Sequence, residues 1–270
     1  MFTRAYTYYQ ENGIRSLALA AFKKARAEML SEIKRTFDRI YKTYRSNVEV
    51  DFGRVTTRFN ASETSYFYYD FTDDIEREYE VIIDILTEIE PDDIFLDVGA
   101  NIGIYSIPVA QKISDGEVIA VDPYPESLSE LSENATLNKV RDKTTTINIA
   151  LWNESDTLSL SVSEPTGHQV GSNGDLEISA VKGDKVARDR NFKPTIIKID
   201  VEGAEYNVLE GLTESLNDCR IVYCEIHSEQ LPKFSHSKEE VIEILSKNGF
   251  SVTEKFELNN DEYIKAVKSN

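Results

Sequence analysis

A chain of 270 residues with 40% hydrophobic content is long enough for one sizeable α/β domain with an appendage. Its net charge of −18 argues against a broad nucleic-acid-binding surface, and no run reaches the ~18 apolar residues of a membrane span. The two cysteines, Cys219 and Cys224, build neither a disulfide framework nor a metal knuckle, and the N-terminus lacks the apolar core of a signal peptide, so a cytoplasmic location is expected.

The charge is unevenly spread. Residues 1–50 hold ten Lys/Arg against five Asp/Glu, whereas the remainder carries a net −23. Such an acidic body suits either concentrated intracellular salt or plain solubility. From Ile14 to Tyr44 apolar residues recur at helical spacing (Ile14, Ala18, Phe22, Ala25, Met29, Ile33, Phe37, Ile40, Tyr44) with lysines and arginines between them. Residues 1–46 are therefore expected to form a basic amphipathic helical extension. It either packs on its own domain or a second copy, making a homo-oligomer, or lies peripherally on an anionic membrane. The apolar stripe carries Ala and Tyr but no Trp or Leu, which favours packing.

Residues 47–90 read as a lead into the core. "VEVDFG" and "RVTTRF" alternate in polarity and predict an antiparallel hairpin turning at Phe52-Gly53. "FTDDIEREYEVIIDILTEIE" predicts a helix with Thr72 as N-cap, stopped by Pro91.

From residue 91 to 270, strands alternate with helices. Strands are predicted at 94–98, 118–121, 145–149, 195–200, 221–226, 250–253 and 263–267, with helices near 104–113, 126–138, 205–216 and 237–248. This is the grammar of an α/β fold with a doubly wound, mostly parallel sheet. The excursion 151–194, with "SEPTGHQVGSNGD" and His168, reads as a loop, and a loop of that length tends to carry function.

Ligands of such sheets bind beyond the carboxyl ends of the strands. The first strand ends in Asp97 and runs into Gly99, Asn101 and Gly103; the second ends at Asp122, an acid placed to accept hydrogen bonds from a ribose. The third ends "INIALW", the fourth "IKIDVEGAE" and the fifth "VYCEIHS". A dinucleotide fingerprint requires G-x-G-x-x-G, but here the spacing is Gly99-x-x-x-Gly103, preceded by an acid that would repel a pyrophosphate. The same acid suits the cationic S-adenosylmethionine. An NAD-type oxidoreductase and a non-catalytic scaffold of the same fold remain the alternatives.

Together "LDVGANIGIYS", "IAVDPYPESLSELSENATLN", "INIALW", "IKIDVEGAEYNVLEGL" and "CEIH" resemble the FkbM family of S-adenosylmethionine-dependent methyltransferases, across roughly residues 92–232. The resemblance implies a class I (Rossmann-like) methyltransferase fold and O-methylation, often of a sugar hydroxyl. It places Asp97, Gly99, Asn101 and Gly103 around the donor's methionine end, Asp122 at the ribose and Ala150 near the adenine. Asp200 and Glu202 then face donor and acceptor. The expected partner is a saccharide acceptor, free or lipid-linked, and not nucleic acid. His227 is the first choice as general base because an ordinary imidazole titrates near neutrality, with Glu202, Glu225 and Asp200 as rivals. His168 reads as loop surface or acceptor contact, and His236 as structural. Asp200, Glu202, Glu225 and His227 offer hard ligands, but no compact motif demands a metal and none is expected.

Overall fold

The computed structural model describes residues 47–60, 71–161, 169–170, 176–258 and 261–269. The expectations for the helical extension 1–46, for His168 and for most of the loop 163–176 lie outside the described residues.

Two short strands, β1 (Asn47–Asp51) and β2 (Thr56–Asn60), form the predicted antiparallel hairpin. Its tip and second strand bury Phe52 and Phe59 in the core, beside Val81, Ile82, Ile85 and Leu86 of helix α1 (Phe71–Glu88). Those four apolar residues share one helical face, so burial rather than intrinsic propensity holds the helix. α1 begins at Phe71, which puts Thr72 inside the helix instead of at its cap.

The main sheet is built from β3 (Ile94–Val98), β4 (Glu117–Val121), β5 (Thr144–Ile147), β10 (Ile196–Ile199), β11 (Ile221–Ile226), β12 (Phe250–Leu258) and β13 (Asp261–Lys268). Its order is β12-β13-β11-β10-β3-β4-β5, and only β13 runs against its neighbours. A dinucleotide-binding sheet carries six strands in the order 3-2-1-4-5-6. Here a reversed strand stands between the fifth and sixth, the arrangement of a class I methyltransferase.

Alternation along each strand assigns residues to two faces. Phe95, Val118, Ala120, Ile196 and Tyr223 point to one, covered by α1, α2 (Ser106–Lys112) and α3 (Pro125–Leu137). Leu96, Val98, Ile119, Val121, Ile197, Ile199, Val222 and Cys224 point to the other. That second face is covered by α4 (Gly183–Arg190), α5 (Glu205–Gly211) and α6 (Lys238–Lys247). α6 starts with a full capping box between Ser237 and Glu240.

The excursion expected to be a loop is instead a folded unit. β6 (Ala150–Trp152), β7 (Asp156–Ser161), β8 (Gln169–Val170) and β9 (Leu176–Lys182) form a four-stranded sheet in the order β6-β9-β7-β8, and α4 follows directly. Leu160, Ile178 and Ala180 give it a small core, which also takes in Ala150 and packs against Tyr124. No helix among the described residues is long and apolar enough to cross a membrane.

Candidate active site

Chain order reverses between β3 and β10, so the crevice above their carboxyl ends is where an open sheet binds ligands. Gly99 lies there at φ +76°, and a Cβ on it would stand 1.8 Å from the backbone oxygen of Asp200. Only glycine allows that approach. Its contact fixes the loop after β3 against the loop after β10. Past Asp200 the chain turns through two consecutive left-handed residues, Glu202 (φ +53°) and Gly203 (φ +101°), before α5 begins at Glu205. A non-glycine residue in that region is strained, and such strain concentrates at functional sites.

Beneath these loops is a buried charge system. Asp97 and Lys198 are register partners on adjacent parallel strands, both facing the α1 side of the sheet. They are 0% and 1% exposed, with Lys198 Nζ 3.2 Å from Asp97 Oδ1 and 3.3 Å from Asp200 Oδ2. Lys198 also donates to the Gly99 carbonyl (3.0 Å), and Ser106 donates to Asp97 Oδ2 (2.6 Å). Burial pulls the Lys198 ammonium downward, but Asp97 and Asp200 outweigh it and hold the lysine charged. Asp97, expected beside the donor's methionine end, lies fully buried beneath the glycine loop. Its nearest cation in the donor-free protein is Lys198.

Asp122, 7% exposed, closes β4. Its two oxygens accept from the Asn101 N–H (2.9 Å) and the Tyr124 N–H (2.8 Å), which ties it to the glycine loop. Burial raises its carboxyl to about 6 despite those two N–H groups and Lys198. Asn101, left-handed at φ +47°, keeps a buried Oδ1 without a hydrogen bond. Gly103 lies against Ile107 and Leu131. Ala150 shares its apolar cluster with Tyr124, two residues beyond Asp122, so the sites expected for ribose and adenine are neighbours.

A second group of side chains converges from the ends of β10 and β11. His227 is 4% exposed, and its Nδ1 lies 2.7 Å from Oε1 of Glu205, itself 0% exposed. The Gly203 N–H also donates to that Glu205 oxygen (2.8 Å). The other ring nitrogen, Nε2, stands 3.8 Å from Asp200, 3.8 Å from Glu202 and 3.9 Å from Glu225. Burial pulls the imidazole down, but the Glu205 bond and the Asp200, Glu205 and Glu225 charges carry it up to about 10. Glu202 is raised, first by burial and then by Asp200 and Glu205, with His227 opposing. All four sequence-predicted catalytic candidates thus meet in one place, beside the glycine loop.

Sequence reasoning passed over two residues of this site. Lys198 is a lone lysine in the apolar run "IIKI", an available signal, and Glu205 resembles an ordinary acid in the first turn of a helix. His236 stacks on Tyr206, with ring centroids 3.8 Å apart.

The methyltransferase FkbM domain model matches residues 97–252, from Asp97 into β12. The chain belongs to the FkbM methyltransferase family. It is an S-adenosylmethionine-dependent methyltransferase. Among relatives, the hexuronic acid methyltransferase AglP of Haloferax volcanii is 32% identical over 193 residues, spanning 70% of this chain and 76% of that protein. The AMB antimetabolite synthetase AmbE of Pseudomonas aeruginosa is 24% identical over 250 residues, covering 76% of this chain but 11% of that protein. Among solved structures, magnesium protoporphyrin IX methyltransferase from Synechocystis PCC 6803 with bound SAM has a TM-score of 0.48 at 14% identity, covering 74% of this chain and 85% of the other. The ribosomal protein L11 methylase from Lactobacillus delbrueckii subsp. bulgaricus has a TM-score of 0.48 at 17% identity, covering 72% and 79% respectively.

The residues present fit the family's methyl donor. A glycine with no room for a Cβ, a buried unsatisfied amide oxygen on Asn101 and a carboxylate held by backbone N–H groups are grouped at the switch point.

Proposed function

We propose that the chain methylates a hydroxyl of a saccharide, within a glycan or glycolipid. The observation that carries this reading is the similarity to a hexuronic acid methyltransferase across three quarters of that protein, a span that includes most of this chain. Bound S-adenosylmethionine supplies a methyl group already activated on a sulfonium, so the chain's work is to hold donor and acceptor in line and to receive the acceptor's proton. Gly99, Asn101 and Gly103 line the donor's methionine end, with Asp97 and Lys198 fixing the loop from beneath. Asp122 accepts from the ribose hydroxyls, and Ala150 with Tyr124 borders the adenine. On the acceptor side, His227 organises the acids around it. The hydroxyl proton passes to Asp200 or Glu202, the two members of the group that are partly open to solvent.

Purified protein incubated with donor and uronic-acid-containing oligosaccharides should yield a product one methylene unit heavier by mass spectrometry. Absence of transfer to any saccharide, with transfer to a protein or porphyrin instead, would overturn the reading.

Two expected results follow for Asp122. Replacement by Ala should weaken donor binding by about 1–3 kcal/mol in calorimetric titration, the scale of a charged hydrogen-bonding group lost from one site. The second concerns pH. Only the ionised carboxylate accepts from both hydroxyls, so wild-type donor affinity should fall as pH drops through about 6, and Asp122→Asn should flatten that profile. In the donor-free protein the sign is opposite. A carboxyl raised from 3.8 to about 6 favours the fold at low pH, and that contribution is lost as pH rises through about 6. A wild-type affinity unchanged between pH 5 and pH 7 would remove Asp122 from the ribose contact.

A further inference from the structure

We propose that His227, Asp200 and Glu202 form a binding site for one divalent metal ion, on the acceptor side of the methyl donor. The proposal rests on the saccharide reading above only for the ion's use, not for its binding.

Geometry carries it. One ligand atom from each of Asp200, Glu202 and His227 can be chosen so that all lie within 4.8 Å of one another, and Glu225, His227 and Asp261 form a second such set around the same imidazole. Around a hexacoordinate ion with bonds of roughly 2.0–2.2 Å, neighbouring donor atoms stand about 2.8–3.1 Å apart and opposite ones about 4.0–4.4 Å. The 3.8 Å separations of Nε2 from Asp200 and from Glu202 lie between those two spacings, so a bound ion would draw the two carboxylates inward by about 1 Å. The separations are too long for hydrogen bonds but within ion-pair reach, so Nε2, on a side chain 5% exposed, faces three carboxylates at close range.

The orientation of that nitrogen is fixed from behind. Glu205 holds Nδ1 at 2.7 Å and is itself pinned by the Gly203 N–H, which leaves Nε2 as the outward-facing atom. A carboxylate behind an imidazole is the usual support of a metal-ligating histidine. Charge points the same way. Asp200, Glu202, Glu205, Glu225 and Asp261 gather here, while Lys198, the buried cation beside them, is shared between Asp97 and Asp200. One imidazole and two carboxylates form a mixed nitrogen and oxygen set, suited to an ion such as Mn²⁺.

An ion at this position has a clear use. A ring of acids repels an anionic sugar, whereas a dication attracts the carboxylate of a uronic acid and can bind its neighbouring hydroxyl. It also makes a bound hydroxyl more acidic, so the proton can leave through the carboxylates at the rim with no strong base required.

Mn²⁺ alone is the probe, titrated into the full chain without donor or acceptor and followed by electron paramagnetic resonance. The expected result is one bound ion per chain with a nitrogen coupling from the imidazole. His227→Ala should abolish that coupling and Asp200→Asn should lower occupancy. Glu205→Gln should weaken binding by about 10–100-fold, the usual effect of losing a supporting partner. Wild-type protein that binds no Mn²⁺ would overturn the site whatever the variants do. So would a coupling that persists in His227→Ala, or stoichiometric displacement of the ion by S-adenosylhomocysteine, which would assign these acids to the donor's ammonium. Methyl transfer to uronic oligosaccharides is scored separately. Transfer without Mn²⁺ binding retires the ion alone, and Mn²⁺ binding without transfer retires the saccharide reading alone.

Discussion

Replacing His227 with alanine should lower turnover by roughly 10²–10⁴, the range seen when a group central to proton transfer is removed. Donor affinity should stay close to wild type. The argument starts from the ring's position. It is held at Nδ1 by a buried Glu205 and faces Asp200, Glu202 and Glu225 with its other nitrogen. Without it, four carboxylates share a small volume, and their mutual repulsion displaces Asp200 and Glu202, the two proposed to meet the acceptor. Asp122 keeps its own hydrogen bonds to the Asn101 and Tyr124 N–H groups, neither of which involves His227, which is why donor binding should survive. Single-turnover kinetics with a calorimetric donor titration separate the two effects. Turnover near wild type in a folded variant would remove His227 from the reaction, and loss of donor affinity in step with turnover would place it on the donor side.

Lys198→Met should destabilise the fold by about 3–5 kcal/mol, because it leaves Asp97 as a buried charge without its counter-ion. The lost ammonium also strips the Gly99 carbonyl of a donor, so the methyl donor should bind more weakly even where the variant is folded. Adding Asp97→Asn should recover a good part of the stability, since a broken buried pair costs more than an absent one. Urea unfolding of the two single variants and the double variant gives the coupling directly. A cost below about 1 kcal/mol for Lys198→Met would show that the pair is not what holds the loop.

Within the main sheet β3, β4, β10 and β11 were legible as short, largely apolar runs with clear punctuation; β3 and β11 coincide with their predicted limits to the residue. The small sheet was not. β6 has three residues and β8 two, and β7 and β9 alternate apolar with polar side chains while pairing across a glycine-rich stretch. Such strands exist because of partners distant in sequence, which no local pattern reports. The candidate site divides in the same way. Asp97, Gly99, Asp122, Asp200 and His227 stand out because strand ends are where chemistry collects in this architecture. The Asp97–Lys198 pair is a matter of register between strands about a hundred residues apart, which no local pattern in the sequence shows. Glu205 was hidden by its position, since an acid in a first helical turn needs no further reason.

The reversed strand has a consequence for how the protein is made. β13 lies between β11 and β12, which do not pair with each other, so β12 joins the main sheet only through it. About 35 residues separate the end of β11 from the start of β13, and a ribosome working at ~5–20 residues per second needs roughly 2–7 s to deliver them. During that interval the growing chain carries β11, apolar on one side and tyrosine-bearing on the other, as an open edge. That edge is the kind that recruits stray strands from neighbouring chains. The nascent chain is therefore most exposed to misassociation while β12 is emerging, with the donor loop already synthesised and the sheet that anchors His227 still incomplete.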